Sequence, residues 1–138
     1  MPTDKLLLDT HVWIWLVEDS EELSPTMAAA MVDAAAYARL FISAISPWEV
    51  ATLARKGRLS FPIPWAEWMK LATTQPGLQL LPLTPAISVE SAQLEGFHGD
   101  PADRILVATA RTEGLTLVTR DAQILNWSAA GSVKVLKA

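Results

Sequence analysis

The stretch Leu6-Leu7-Leu8-Asp9 lies near the amino end. Its three leucines form an apolar run in which no polar residue alternates, and the run ends directly at a carboxylate. A run that leaves no residue for a solvated face predicts a strand buried on both sides, inside a parallel sheet. A second apolar run over residues 12–17 follows almost at once and predicts a helix. Because ligands bind off the carboxyl ends of the strands in open α/β sheets, we expect Asp9 at a functional edge.

Further apolar runs of strand length alternate with helical patterns along the chain, at residues 40–45, 78–83, 115–119 and 133–136. This alternation predicts βα units and a mainly parallel sheet of about five strands, covered on both faces. The expected architecture is a three-layer α/β/α sandwich with the first strand in its interior. A chain of 138 residues is long enough for one domain, which we expect to span residues 1–138.

Capping signals that contain proline mark several predicted helix starts. Ser24 is expected to cap a helix that begins at Pro25, and Ser46-Pro47-Trp48-Glu49 has the form of a capping box with Ser46 as N-cap. Asp100-Pro101-Ala102-Asp103 repeats that pattern, with Asp100 as N-cap and Asp103 at the third helical position. We expect these last two helices to end at Gly57 and Gly114.

Composition limits the function classes. The chain has no cysteine, which excludes disulfides and thiol nucleophiles. It also shows neither a signal peptide pattern nor an apolar stretch long enough for a membrane span, so we expect a cytoplasmic protein that does not engage a membrane. The net charge of −4 means that a nucleic-acid substrate would need locally placed cations. Arg55-Lys56-Gly57-Arg58 is such a cluster, although basic residues at a helix carboxyl end are the simpler interpretation.

Four carboxylates occupy related places. Asp9, Glu49 and Asp121 each follow a predicted strand, and parallel strand order brings them to one edge of the sheet. Asp103 instead precedes the helix that leads to the fourth strand, so topology alone leaves its edge open. Each acid taken singly is explained by helix capping or by the positive end of a helix dipole.

Taken together, the four acids indicate a shared site. Carboxylates crowded at one edge repel one another and would bind protons unless a cation neutralised them. Oxygen ligands of this kind suit magnesium or manganese, which retain waters and can bind a substrate phosphate. The chemistry this indicates is metal-assisted hydrolysis of a phosphodiester.

The residues also resemble a known family. The segments that carry the resemblance are Leu8-Asp9-Thr10-His11, Ser46-Pro47-Trp48-Glu49, Asp100-Pro101-Ala102-Asp103-Arg104 and Thr119-Arg120-Asp121. In this order they resemble the four acidic signatures of PIN-domain ribonucleases, and the length and order are similar to the VapC toxins of bacterial toxin–antitoxin pairs. The chain departs from related sequences at Ala102, where a bulky aromatic residue is common.

This resemblance implies a Mg²⁺- or Mn²⁺-dependent endoribonuclease that hydrolyses RNA with a metal-activated water. Asp9, Glu49, Asp103 and Asp121 would surround the metal, which implies that Asp103 joins the other three. Thr119 matches a hydroxyl position beside them.

The resemblance also implies a homodimer and a cognate VapB-like antitoxin whose tail covers the active-site groove. Trp13 and Trp15 lie on opposite sides of an apolar helix, so at least one is expected to face a partner. Arg104 either contacts a substrate phosphate or forms a surface ion pair. His11 is expected on a helix face without a catalytic role, and His98 has no assigned role.

Other function classes fit less well. Phosphotransferases with an aspartyl nucleophile also place an acid after the first strand, but they resemble Asp-x-Asp, and the chain has His11 where the second acid would stand. No glycine-rich turn for a dinucleotide follows the first strand. A non-catalytic PIN-like module that docks RNA or protein remains as an alternative, and the presence of all four acids argues against it.

Overall fold

The computed structural model describes residues 4–97, 99–128 and 131–138. Within them, five short strands form one sheet: β1 (Leu6–Leu8), β2 (Leu40–Ser43), β3 (Leu78–Leu81), β4 (Thr116–Thr119) and β5 (Val135–Lys137). The strand order is β3-β2-β1-β4-β5, and each pairing of neighbours is parallel. The seven helices of the same residues are α1 (Thr10–Val17), α2 (Pro25–Ala36), α3 (Ile45–Arg55), α4 (Trp65–Thr73), α5 (Pro85–Gln93), α6 (Pro101–Glu113) and α7 (Ala122–Ser128).

Strand β1 lies at the centre of the sheet, which confirms the prediction from its apolar run. Leu6 pairs with Leu40 of β2 on one side and with Thr116 of β4 on the other. Leu7 and Leu8 have no exposed surface. A strand paired on both sides and covered on both faces has no position for a polar residue until it ends, and here it ends at the carboxylate of Asp9.

The two faces of β1 point into two different hydrophobic clusters, because successive strand residues face opposite sides. Leu8 belongs to a cluster with Trp13 of α1 and Met31 of α2. Leu7 belongs to a second cluster with Leu106 of α6 and other side chains of that layer. Helices therefore cover both faces of the sheet, as the α/β/α sandwich requires.

Several capping predictions are confirmed. The backbone N–H of Met27 donates to the Ser24 hydroxyl at 3.1 Å, and the N–H of Asp103 donates to Asp100 Oδ1 at 2.9 Å. Gly114 ends α6 with φ of 68°, in the left-handed region that suits glycine. These local signals fix the starts of α2 and α6 and the end of α6.

The predicted capping box at Ser46 is wrong. Helix α3 begins at Ile45 after Ala44, whose side chain accepts no capping hydrogen bond, so Ser46 lies inside the helix. Ser46 is fully buried, and its hydroxyl is 2.9 Å from the hydroxyl of Thr10 on α1. The tertiary contact between α1 and α3 thus takes the polar group that a capping box would have used.

Other boundaries move by a few residues. Strand β2 ends at Ser43 and β3 at Leu81, both two residues earlier than their apolar runs, and β5 covers Val135–Lys137. Helix α3 ends at Arg55 with Lys56 as its C-cap, and Gly57 follows with a φ of 71°, which confirms the expected stop at this glycine. Among the helices of the described residues, none is both long and apolar enough to cross a membrane.

Candidate active site

The four acids singled out in the sequence line one pocket of about 380 Å³ at the carboxyl ends of β1 and β4. Its lining also includes a fifth carboxylate, two ring side chains and one arginine. The full set is Asp9, His11, Val12, Trp15, Glu49, Asp100, Asp103, Arg120 and Asp121. Five carboxylates against one guanidinium make the pocket strongly acidic.

Asp9 is the most buried of these acids, with 8% of its surface exposed. Its Oδ1 accepts the N–H of Thr10 at 2.6 Å, and its Oδ2 accepts the hydroxyl of Thr119 at 2.7 Å. Burial raises the pKa of Asp9, and the hydrogen bonds from Thr119 and Thr10 oppose that rise. The carboxylate is thereby fixed in orientation, and part of its lone-pair capacity remains for a ligand.

Glu49 reaches the pocket from the first turns of α3. The Thr10 hydroxyl donates to Glu49 Oε1 at 2.5 Å. Because Thr10 has a single hydroxyl proton, the Ser46 hydroxyl must be the donor in its own bond to Thr10. Burial raises the pKa of Glu49 despite the Thr10 bond, and the charges of Asp9 and Asp100 raise it further.

Asp103 lies in the first turn of α6. Strand order alone did not predict the edge of the sheet at which this residue lies. Helix α5 packs against α6, and the chain between them returns to the carboxyl edge of the sheet before Asp100. Burial, followed by the charges of the surrounding acids, raises the pKa of Asp103 to about 8. A value this high means that ionised Asp103 is poorly accommodated without a cation.

Asp121 follows β4 and also starts α7. Its Oδ1 accepts the N–H of Ile124 at 3.0 Å, as an N-cap does. Its own N–H donates to the hydroxyl of Thr119 at 3.0 Å. Thr119 therefore joins the carboxylate of Asp9 to the backbone of Asp121, and it ties the ends of β1 and β4 together.

Comparison with known proteins agrees with this geometry. The family model described as PIN domain matches residues 6–128, which is most of the chain. The chain belongs to the PIN domain family. It is 33% identical over 120 residues to Ribonuclease VapC22 of Mycobacterium tuberculosis, covering 86% of this chain and 88% of that protein. The resemblance to VapC proteins noted in the sequence is thereby confirmed.

Solved structures show the same fold. The DNA-bound VapBC structure from Salmonella typhimurium matches with a TM-score of 0.69 at 16% identity, covering 98% of each chain. VapBC2 from Rickettsia felis, bound to a DNA fragment from its promoter, matches with a TM-score of 0.70 at 15% identity, covering 96% of this chain and 98% of that one. At these identities the likeness establishes the PIN fold of the chain.

The donor set of this PIN site fits a hard divalent cation. All the acidic donors are carboxylate oxygens, the kind that Mg²⁺ and Mn²⁺ prefer. Within the described residues, no group of three or more His, Asp or Glu side chains is already arranged to hold a metal ion. Mg²⁺ is usually held by one or two carboxylates and several waters, so an open pocket of this size suits it without such a cage.

Of the cations considered from the sequence, Arg104 differs from the expectation and Arg55 agrees with it. Arg104 donates to the carbonyl oxygens of Ser91 at 2.9 Å, Phe97 at 2.5 Å and Leu94 at 3.0 Å. It thus fastens the end of α5 and the loop that follows to α6, and the expected surface ion pair is not what this guanidinium forms. Arg55 lies in the last turn of α3, which agrees with the helix-end interpretation of its cluster.

Of the two histidines, His11 belongs to the pocket. His11 is exposed and lines the pocket of this PIN domain from the first turn of α1. Its charge would lower the pKa values of Asp9 and Glu49. His98 lies outside the described residues.

Sequence reasoning missed four residues that shape the PIN site. Thr10 and Ser46 orient Glu49, and Trp15 and Arg120 line the pocket rim. A hydroxyl directly after the strand-ending acid was a usable signal for Thr10. The contribution of Ser46 was hidden because it has the same sequence pattern as a helix cap, and Arg120 was passed over beside the more prominent Asp121.

Proposed function

We propose that this protein is a metal-dependent endoribonuclease of the VapC type, the toxin of a VapBC-type toxin–antitoxin pair. The observation that carries the proposal is the gathering of Asp9, Glu49, Asp103 and Asp121 in one pocket of a PIN domain. The 33% identity to a protein named as a ribonuclease supports the same activity. Residues 1–138 would act as one domain.

In this proposal Asp9, Glu49, Asp103 and Asp121 are the catalytic carboxylates that surround Mg²⁺ or Mn²⁺, with one or two of them binding the ion directly and the others through its waters. A cation bound there would supply positive charge at the scissile phosphate and would lower the pKa of its bound water toward neutral pH. Asp9 is kept in one orientation by Thr10 and Thr119, so Thr119 is an accessory residue. Thr10 does the same for Glu49. The acids also repel the phosphates of RNA in the absence of the cation, which makes substrate binding depend on metal.

Arg104 has a supporting role in this proposal. Its three carbonyl bonds hold the segment that precedes Asp100 and Asp103. It therefore contributes to the placement of Asp103, in place of the phosphate contact considered from sequence.

The partners follow from the same assignment. RNA is the substrate, and a cognate VapB-like antitoxin is the inhibitor, as VapBC complexes among the fold relatives support. We also propose a homodimer, and a cytoplasmic location that agrees with the absence of cysteine.

The test is cleavage of total cellular RNA by purified protein, freed of any antitoxin, in the presence of Mn²⁺ or of EDTA. Asp103→Asn serves as the matched variant, because it removes one carboxylate charge and keeps the side-chain size. Discrete fragments that require both the metal and Asp103 are the expected result. If the RNA stays intact with folded, antitoxin-free protein and Mn²⁺, the proposal is contradicted. That result would favour a PIN module that binds without cutting.

A further inference from the structure

The rim of the acidic pocket carries one arginine, Arg120, between Thr119 and Asp121. Five carboxylates line the same pocket. RNA is a polyanion, and a protein with a net charge of −4 must hold it through cations placed locally. Arg120 is therefore the pocket residue whose chemistry suits an RNA phosphate, and its contacts decide whether it is available.

Arg120 is held by three acceptors on two segments. Its Nε donates to the carbonyl of Ala138 at 3.2 Å, one Nη donates to Glu22 Oε2 at 2.8 Å, and the other donates to the carbonyl of Glu22. A guanidinium has five N–H donors, so these contacts leave two of them for another ligand. The side chain is 35% exposed, which leaves it accessible from the pocket.

Trp15 of α1 fixes the plane of this guanidinium. The Arg120 Cζ lies 4.4 Å from the centre of the Trp15 ring, within the range of a cation–π contact. The Trp15 ring also lies 6.3 Å from the ring of His11, which lines the pocket as well. A guanidinium that rests on an aromatic ring and donates from all three nitrogens has little rotational freedom left, so its two remaining N–H donors are preorganised.

We propose that Arg120 binds a phosphate of the RNA next to the one that is cleaved, with Trp15 as its positioning residue and the Glu22 carboxylate as a competitor for its donors. This inference rests on the proposed ribonuclease function and adds the residue that receives the substrate backbone. The two remaining N–H donors, one on each Nη, are suited to oxygens of a phosphodiester, and the guanidinium keeps its charge in the pocket. The ion pair with the exposed Glu22 side chain weakens the binding of the phosphate by Arg120.

The first test compares Arg120→Met and Arg120→Lys with wild type. A flanking phosphate contact contributes to binding in ground state and transition state alike, so Arg120→Met should raise KM for the cleaved RNA about tenfold and leave kcat within about twofold. Arg120→Lys keeps the charge without the planar guanidinium, so its KM should lie between those of wild type and Arg120→Met. Arg111→Met is the matched control, because Arg111 pairs with Glu90 and also lies over a tryptophan ring, but does not line the pocket.

The second test uses Glu22→Gln, for which a structural role and a binding role of Arg120 predict different results. The variant keeps the backbone carbonyl that Arg120 contacts and removes the competing carboxylate. If Arg120 binds RNA, affinity for fluorescein-labelled single-stranded RNA of random sequence should rise about two- to threefold. If Arg120 only fastens the fold, the variant lowers the thermal midpoint and RNA affinity stays unchanged.

Salt dependence gives a readout that misfolding does not imitate. Removing one phosphate contact should reduce the slope of log Kd against log salt concentration by about 0.7 for single-stranded RNA. Trp15→Leu should weaken binding, and Trp15→Phe should restore it because a ring is again available to the guanidinium.

The outcomes separate the two proposals. Wild-type cleavage together with unchanged KM, affinity and salt slope in Arg120→Met would overturn the role of Arg120 and leave the ribonuclease assignment intact. If wild-type protein does not cleave RNA with metal but still binds RNA through Arg120, the ribonuclease assignment alone is contradicted. Failure of wild-type protein to bind the random-sequence RNA at low salt in the presence of Mg²⁺ would overturn the role of Arg120.

Discussion

Asp103→Asn should make the metal-free protein more stable, although it removes a proposed catalytic group. The pKa of Asp103 is raised from 3.8 to about 8, chiefly by burial and then by the neighbouring acids. The folded state therefore binds a proton more tightly than the unfolded state does. The stability contributed by that proton is complete below pH 4 and is lost as the pH rises through 8.

The size of the effect follows from the same pKa. A rise of about four pKa units would correspond to roughly 6 kcal/mol for a group shielded from water. Asp103 is only half-buried, so solvent screening reduces the expected gain at pH 9 to about 1–2 kcal/mol. For a chain of this length that gain raises the thermal midpoint by roughly 4–8 °C.

The assay is thermal unfolding in EDTA at pH 5 and pH 9, with Asp33→Asn as control for removal of one exposed acid on α2. Asp103→Asn should exceed wild type at pH 9 and nearly equal it at pH 5, while the control shows no such pH dependence. Added Mg²⁺ should stabilise wild type more than the variant, because it binds the folded state through the acids. A variant equal to or less stable than wild type at pH 9 would refute the argument that repulsion and burial oppose the ionised form.

Three further changes test other parts of the site and fold. Asp9→Asn should abolish RNA cleavage with a native far-UV circular dichroism spectrum; an active variant would contradict the role of Asp9. Thr10→Val should lower the free energy of unfolding in urea by about 1–2 kcal/mol, since it leaves Glu49 without its hydrogen bond; no loss would mean that water replaces the hydroxyl. Gly77→Ala should cost about 2–3 kcal/mol in the same measurement, because a Cβ at this φ of 81° would clash with the backbone of Ala35. Gly57→Ala, which meets open space, should cost clearly less.

The parts of the fold that were predicted from sequence are those set by local chemistry. An unbroken apolar run gave the central strand, and Ser24, Asp100 and Gly114 gave helix ends that depend on their own neighbours. The four acids were also found from sequence, since three of them follow strands. The placement of Asp103 required the family resemblance, because the path of the chain between α5 and α6 is a tertiary property.

The errors share a physical cause. Ser46 has the sequence pattern of a helix cap, but a buried hydroxyl bond to Thr10 takes priority over the local one. Arg104 has the sequence position of a residue beside a catalytic acid, yet three carbonyl acceptors brought close by α5 decide its contacts. In both cases the deciding partner lies outside the helix that carries the residue, so the helix pattern itself does not reveal it.

The order of the strands has a consequence for synthesis of the chain. Strand β1 is made first, but it pairs with β4, whose residues lie about 110 positions later, and the Thr119 hydroxyl that fixes Asp9 comes from that same late strand. Two of the four acids also lie in the last third of the chain. Since such long-range pairing cannot form before its second partner exists, a nascent chain on the ribosome carries Asp9 without a finished pocket. The proposed nuclease site is therefore complete only near the end of translation.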